Sequence, residues 1–351
     1  MGILKAIDYM FIFVPISIIL AFLNFNPVYV FLTCILSIVP LSKHIGKVTE
    51  NIALQTTPTM GALVNVTFGN SIELIIAALA LQAGLLDLVK ASITGSVIIS
   101  LLLIGMAMFF GGLRYKEQSF SSKIGSVSST MLIIAIIGVS IPTIYFILTP
   151  AAASSTTSIS LSVSVVMAII YLLGLVFTFV THKHLFDLGD ELKKEKIKPT
   201  ITKRKAIGIL ALLTLVVFIE AEILVSAVKP ATEVIGLTEV FVGVVIIGII
   251  TNISELINAV SFALKDKMEL SMEIGTNSAT QIALFVVPVL VLISSFFTSP
   301  LNLVFPLFDI AALFFTVLII NHLITDGRCN WLEGAQLITV YIILAIAFFF
   351  V

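Results

Sequence analysis

Two glutamates define the chemistry open to this chain. Glu73 lies in Phe68-Gly69-Asn70-Ser71-Ile72-Glu73-Leu74, and Glu255 lies in Ile250-Thr251-Asn252-Ile253-Ser254-Glu255-Leu256. In each stretch an Asn stands three residues before the Glu, a spacing that puts amide and carboxylate on one helix face. Both stretches sit in long apolar runs, where an ionisable side chain is costly and marks a functional site. Carboxylates, amides and hydroxyls with no Cys or His beside them form a hard-oxygen set, suited to Ca2+, Mg2+ or Mn2+ rather than to softer metals. Two glutamates neutralise one divalent cation, or take up protons in its place. Asn70 and Asn252 add amide oxygens, and Gly69 and Thr251 mark points where a helix can loosen and turn backbone carbonyls toward an ion.

A second polar patch follows each motif: Thr94-Gly95-Ser96 after the first, and Thr276-Asn277-Ser278 with Gln281 after the second. A lone buried Ser or Asn in a transmembrane helix is often interhelical glue. Ser96 and Ser278, taken singly, therefore read evenly as glue or as ligands. For the two glutamates the competing reading is a structural carboxylate with a basic partner. No Lys or Arg is expected in the interior of the spans given below, Lys43 standing at the very end of one, which favours ion or proton chemistry. Glu220 and Glu222 are two residues apart and point to different faces of their helix. One of them suits a proton relay, the alternative being a protonated packing residue, and Glu50, near the end of a span, joins them on a candidate proton pathway. Asp309 is a further intramembrane acid.

The elements that carry these residues must cross a membrane. Of the 351 residues 59% are hydrophobic and only 11% charged, with a mean hydropathy of +1.19; a soluble domain carries about 25% charged residues. A net charge of −1 and the absence of a basic face give no sign of nucleic acid as a partner. Cys34 and Cys329 are too few for a disulfide framework or a metal cluster. The first apolar segment reads as a span rather than a removed leader. The chain has no His-Glu-x-x-His and no Gly-x-Ser-x-Gly, so it is expected to be no enzyme. No resident cofactor and no protein partner is evident; the partners are transported ions and lipid.

Spans of roughly 20 apolar residues fall at 7–25, 28–44, 60–82, 91–111, 126–148, 161–181, 206–228, 236–264, 271–294, 301–323 and 333–351. The fold class is thus an all-α polytopic membrane protein of 11 transmembrane helices. Its parts are one N-terminal helix (1–27), a five-helix repeat (28–181), a charged cytoplasmic linker (182–205) and a second five-helix repeat (206–351). An offset of 182 residues carries Gly61 onto Gly243, Asn70 onto Asn252, Glu73 onto Glu255 and Ser96 onto Ser278. With the N-terminus in the cytoplasm, the external side keeps only Lys90 and Lys229 of the 19 Lys and Arg residues, a bias that fits the positive-inside rule. The two motif spans then run in opposite directions, so the repeats are inverted and their glutamates are expected to converge near mid-membrane. The span at 236–264 is longer than a bilayer needs and is expected to tilt or break near Thr251-Asn252.

With these motifs in place, the chain resembles the cation/proton exchanger branch of the calcium/cation antiporter superfamily. The signature Gly-Asn-x-x-Glu is intact at Gly69 to Glu73. The runs Ala221–Val225 and Thr238–Gly243, with Asn252 and Glu255, Gln281–Phe285 and Asn330–Gly334, are similar to the same family. The pattern departs at Thr251 and Asn277, where the family usually has Gly, and at Leu256, where it often has His. The resemblance implies one extra helix plus two inverted repeats, and Ca2+ exported from the cytoplasm against imported H+, with Mn2+ a second candidate cargo. It also implies that Asn70, Asn252, Ser278 and Gln281 line the site. Na+/Ca2+ exchangers of the superfamily carry a Pro just before the Glu; Ile72 and Ser254 stand there, which points to protons. A passive cation channel is a more distant alternative. The short N-terminus and the linker's excess of cations point to a prokaryotic plasma-membrane protein, with its C-terminus external.

Overall fold

The computed structural model describes residues 2–149, 155–182 and 199–351. Most of the expected linker, residues 183–198, lies outside the described residues. The described residues are almost entirely helical: α1 Ala6–Phe22, α2 Pro27–Ala53, α3 Pro58–Gly69, α4 Ser71–Gln82, α5 Leu86–Tyr115, α6 Ser122–Leu148 and α7 Thr156–Thr181. There follow α8 Lys203–Ile235, α9 Glu239–Thr251, α10 Ile253–Ala263, α11 Met268–Ser294, α12 Leu307–Ile324 and α13 Trp331–Phe349. Among the described residues eight helices are long and apolar enough to cross a membrane, or nine when the bent pair α9–α10 is taken as one span. The helices at the first and third expected spans, α1 and α4, are shorter.

Local chemistry sets several of these ends. Asn26 Oδ1 accepts from the Val28 amide at 3.0 Å, and Pro27 opens α2 with its φ already helical. At α13, Asn330 Oδ1 accepts from the Leu332 and Glu333 amides while Glu333 Oε2 accepts from the Asn330 amide, a complete capping box. The stretch Asn330–Gly334 thus starts a helix.

Two expectations are corrected. Helix α2 runs past His44 to Ala53, because no strong breaker intervenes before Thr57-Pro58. Lys43 is therefore inside the helix and buried, and its Nζ donates to Asp8 Oδ1 at 2.6 Å. A cation does lie within a span, met by its own carboxylate, with His44 Nε2 3.7 Å from the same oxygen. The all-α reading also misses a ribbon. Glu117–Ser119 (β1) pairs antiparallel with Arg328–Asn330 (β2), Gln118 opposite Cys329. These are extended connections, and Gln118 Nε2 fixes β1 by donating to the Ala263 carbonyl and to Asp266 Oδ1.

The chain packs as two compact units that do not follow the boundaries expected for the repeats: Met1–Leu79 with Leu172–Ala231, and Ala80–Tyr171 with Thr232–Val351. In the first, α2 packs along α1 and α3. Its polar end also holds the segment leading into α8: Asn51 Oδ1 accepts from the Thr200 amide at 2.8 Å, and Gln55 Nε2 donates to the Ile201 carbonyl. In the second, α5 is the central helix, packed by α9, α10, α11, α12 and α13. Its apolar window is 78% buried, against 17% in α7, whose exposed apolar side suits lipid. Helix α5 crosses α9 backbone to backbone. A Cβ on Gly95 would stand 2.2 Å from the Val244 carbonyl oxygen, and one on Gly243 would stand 2.6 Å from Ala91 Cβ. Neither crossing position admits a side chain.

Candidate functional site

Each motif Asn breaks a helix. In the first unit α3 ends at Gly69, Asn70 leaves helical geometry at φ −103°, ψ 20°, and α4 starts at Ser71. In the second, α9 ends at Thr251, Asn252 adopts φ −97°, ψ 13°, and α10 starts at Ile253. The axis bends by 53° there, as expected for an over-long span. The break falls on the Asn in both motifs, and the helix resumes at once: the Leu74 amide donates to the Asn70 carbonyl and the Leu256 amide to the Asn252 carbonyl, each at 3.0 Å. The offset of 182 that aligns the motifs also carries the start of α4 onto that of α10 and the start of α5, Leu86, onto that of α11, Met268.

Restarting the helix at this point puts each glutamate in a first turn, where the free amides and the helix dipole favour negative charge. Asn70 and Glu73 are both buried. Glu255 Oε2 is enclosed and accepts no hydrogen bond among the described residues. An oxygen in that condition calls for a proton or a cation.

The second motif is pinned by side chains. Asn252 Nδ2 donates to the Gly248 carbonyl at 3.0 Å and to Thr251 Oγ1 at 3.1 Å, while Thr251 Oγ1 donates to the Ile247 carbonyl. Ser278 Oγ on α11 donates to Asn252 Oδ1 at 3.1 Å. The structure therefore gathers Thr251, Asn252 and Ser278 into one clamp, with Gln281 three residues further along α11. Ser96 is buried on α5 beside the Gly95 crossing.

The candidate proton residues separate. Glu50 is exposed near the end of α2, and Glu222 is exposed on α8, while Glu220 has no exposed surface. Its carboxyl oxygens lie within hydrogen-bond distance of Ser17 Oγ of α1 and Ser37 Oγ of α2. Neither serine carries a sequence signal, since single hydroxyls in apolar runs are ordinary. Asp309 is also buried, and its Oδ2 accepts from Thr94 Oγ1 at 2.9 Å. That bond ties Thr94 to α12. A small cleft beside α11 is lined by Glu269, Glu273 and Thr276 with Ser128 of α6. The i, i+4 spacing of its two acids was the available signal for it.

The sequence model of the family described as "Sodium/calcium exchanger protein" matches residues 26–180 and 205–350. A Ca(2+)/H(+) antiporter of Aphanothece halophytica is 40% identical over 353 residues, covering 97% of this chain and 95% of that protein. The Ca(2+)/H(+) antiporter ChaA of Bacillus subtilis is 37% identical over 339 residues, covering 96% of each. The solved structure of native YfkE superposes with a TM-score of 0.84 at 34% identity, covering 97% of this chain and all of that one.

Proposed function

The chain belongs to the sodium/calcium exchanger protein family, and on that premise we propose that it is a secondary antiporter exchanging cytoplasmic Ca2+ for external H+. Mn2+ is the second candidate cargo. One observation carries the mechanism: both motif helices break at an Asn and restart so that a glutamate, Glu73 or Glu255, occupies the first turn of the new helix. The names of the relatives at 40% and 37% identity support the choice of ions.

The proposed chain crosses the membrane eleven times, as one N-terminal helix and two inverted five-helix repeats. Repeat symmetry brings Glu73 and Glu255 to a shared site near mid-membrane. The helix restarts supply amides and dipole there, Asn70 and the Thr251–Asn252–Ser278 clamp hold the two breaks, and Ser96 and Gln281 supply further oxygens. Two carboxylates bind either one divalent cation or protons. An empty site carries a net charge that is costly to take through the occluded state, so alternating access proceeds only when the site is neutralised by one or the other. Competition for the same oxygens is what couples the fluxes. Glu222 is exposed in the middle of a long apolar helix. A carboxylate there is costly against lipid and suits a watery passage, which makes it the better relay of the Glu220–Glu222 pair. The chain is placed in a prokaryotic plasma membrane, N-terminus inside and C-terminus outside.

The test uses purified protein in liposomes with a trapped pH-sensitive dye, an imposed Ca2+ gradient, and sodium absent or present. Proton movement driven by Ca2+ without sodium is the expected result. Ca2+ flux that requires sodium and moves no protons would transfer the chain to the Na+/Ca2+ branch of the same family.

A further inference from the structure

Glu220 sits among hydroxyls rather than cations. Ser17 Oγ lies 2.7 and 2.8 Å from its two carboxyl oxygens, and Ser37 Oγ lies 2.6 Å from Oε2. The Cys34 thiol, one turn before Ser37 on α2, reaches the same carboxyl. All four residues are fully enclosed. Among the described residues no Lys, Arg or His bonds to this carboxyl. The other titratable groups of the surrounding helices lie elsewhere: Lys43 and His44 are each bound to Asp8 at the far end of the α1–α2 contact, and the rest on α1, α2 and α8, Glu50 and Glu222 among them, are exposed.

Each serine has a second acceptor just as close. Ser17 Oγ is 2.7 Å from the Val14 carbonyl, and Ser37 Oγ is 2.7 Å from the Cys34 carbonyl. A hydroxyl has one hydrogen, so it cannot give to backbone and carboxyl together. Two arrangements fit the same heavy atoms. In one, both hydroxyls turn to an ionised carboxylate, leaving a buried charge without a cation. In the other, both turn to their own backbones, and a protonated Glu220 donates its hydrogen to a serine oxygen. The second satisfies every polar hydrogen of the three groups and buries no net charge, which low-polarity surroundings strongly favour.

We propose that Glu220 is a proton-binding site separate from the exchange glutamates, its carboxyl holding a proton between Ser17 and Ser37 and thereby fixing α1 to α2 and α8. The proton stays bound through turnover. Glu220 is a positioning residue, and α1 is held to the first unit by this knot as well as by Asp8–Lys43.

Infrared difference spectroscopy of the full-length protein in lipid reads the proton directly, whatever ions are exchanged. The carbonyl stretch of a protonated carboxylic acid should be present in the wild type at neutral pH, vanish in Glu220→Gln and change frequency in Ser37→Ala, which removes one partner. An unchanged band in Glu220→Gln overturns the proposal; should that variant not fold, an unshifted band in Ser37→Ala does so instead. The exchange assay then asks whether the proton moves, and this arm rests on the antiporter reading. Gln reproduces the shape and donor of a protonated acid, so Glu220→Gln should keep Ca2+-driven proton flux within about twofold of wild type. A loss of roughly tenfold or more in folded Glu220→Gln would mean that the proton is a transported one, and overturns the stored-proton assignment.

Discussion

Asn252 has two jobs that a sequence shows as one. Its amide hydrogens tie down the Gly248 carbonyl and the Thr251 hydroxyl, and its oxygen takes the Ser278 hydrogen. The glue and ligand readings are thus open together: the Asn252 amide oxygen keeps a second lone pair for an ion, and the Ser278 hydroxyl, having given its hydrogen, keeps its own lone pairs. Glu255 has no such structural employment at Oε2. Glu255→Gln and Glu73→Gln should each abolish Ca2+-driven proton movement while leaving expression and melting behaviour near wild type; exchange retained in both single variants would sink the shared-carboxylate mechanism. Ser278→Ala should cost far less, about 0.6 kcal/mol of helix association, seen as a modest rise in the Ca2+ concentration needed for half-maximal flux. Cys329 offers an independent check of the ribbon. Burial pushes its thiol up to about 12, so at pH 8 it stays a protonated, poorly nucleophilic thiol. Maleimide should label it slowly in the folded protein and fast after denaturation. The motif acids were legible because ionisable residues are rare in apolar runs. Ser17, Ser37 and Thr94 were not, because a lone hydroxyl reads the same whether it faces lipid, its own backbone or a buried acid.

At the scale of elements, the breaks matter more than the spans. Long apolar runs announce helices, and a window too long for a bilayer announced a bend; the position of the bend on Asn252 itself follows from an amide side chain that replaces backbone partners when the ladder is interrupted. Helix ends were harder to read. Helix α2 continues through Ser42–Glu50 because nothing in that stretch, Gly46 included, stops a helix that tertiary contacts still support, propensity being the weaker influence, and that extension hid the Lys43–Asp8 pair. Asn252→Ala should remove the clamp while keeping Glu255 in place. The expected outcome is a fall in exchange of roughly tenfold with the protein still folded, and a change in the distance between spin labels on α9 and α10. Unaltered label distance together with full exchange would show that the Asn side chain does not hold the break. The capping box of α13 is a purely structural counterpart: Asn330→Ala should cost about 1 kcal/mol of stability with the ion dependence of exchange unchanged.

For the whole molecule the decisive property is direction. A carrier that presents one site alternately to two sides is built most economically from two copies of a unit inserted in opposite senses, and the distribution of Lys and Arg provides the sense. Only Lys90 and Lys229 fall on the external side when the spans are threaded from a cytoplasmic N-terminus. Each compact unit draws helices from both halves of the chain, so the proposed repeat rests on the offset of 182 in the sequence and not on the arrangement of contacts. The same offset supplies the test. Ala83, just past α4, and Lys265, just past α10, are equivalent positions, and both are exposed. In a protein with both native cysteines replaced, Ala83→Cys should react with a membrane-impermeant maleimide added outside intact cells. Lys265→Cys should react only after the membrane is opened. Labelling of both from the same side would mean that the motif helices run parallel, and two glutamates related by a parallel repeat would no longer be brought by symmetry to one depth from opposite sides. The proposed competition between Ca2+ and protons depends on that meeting, so the orientation of two loops decides whether the mechanism is geometrically available to the chain.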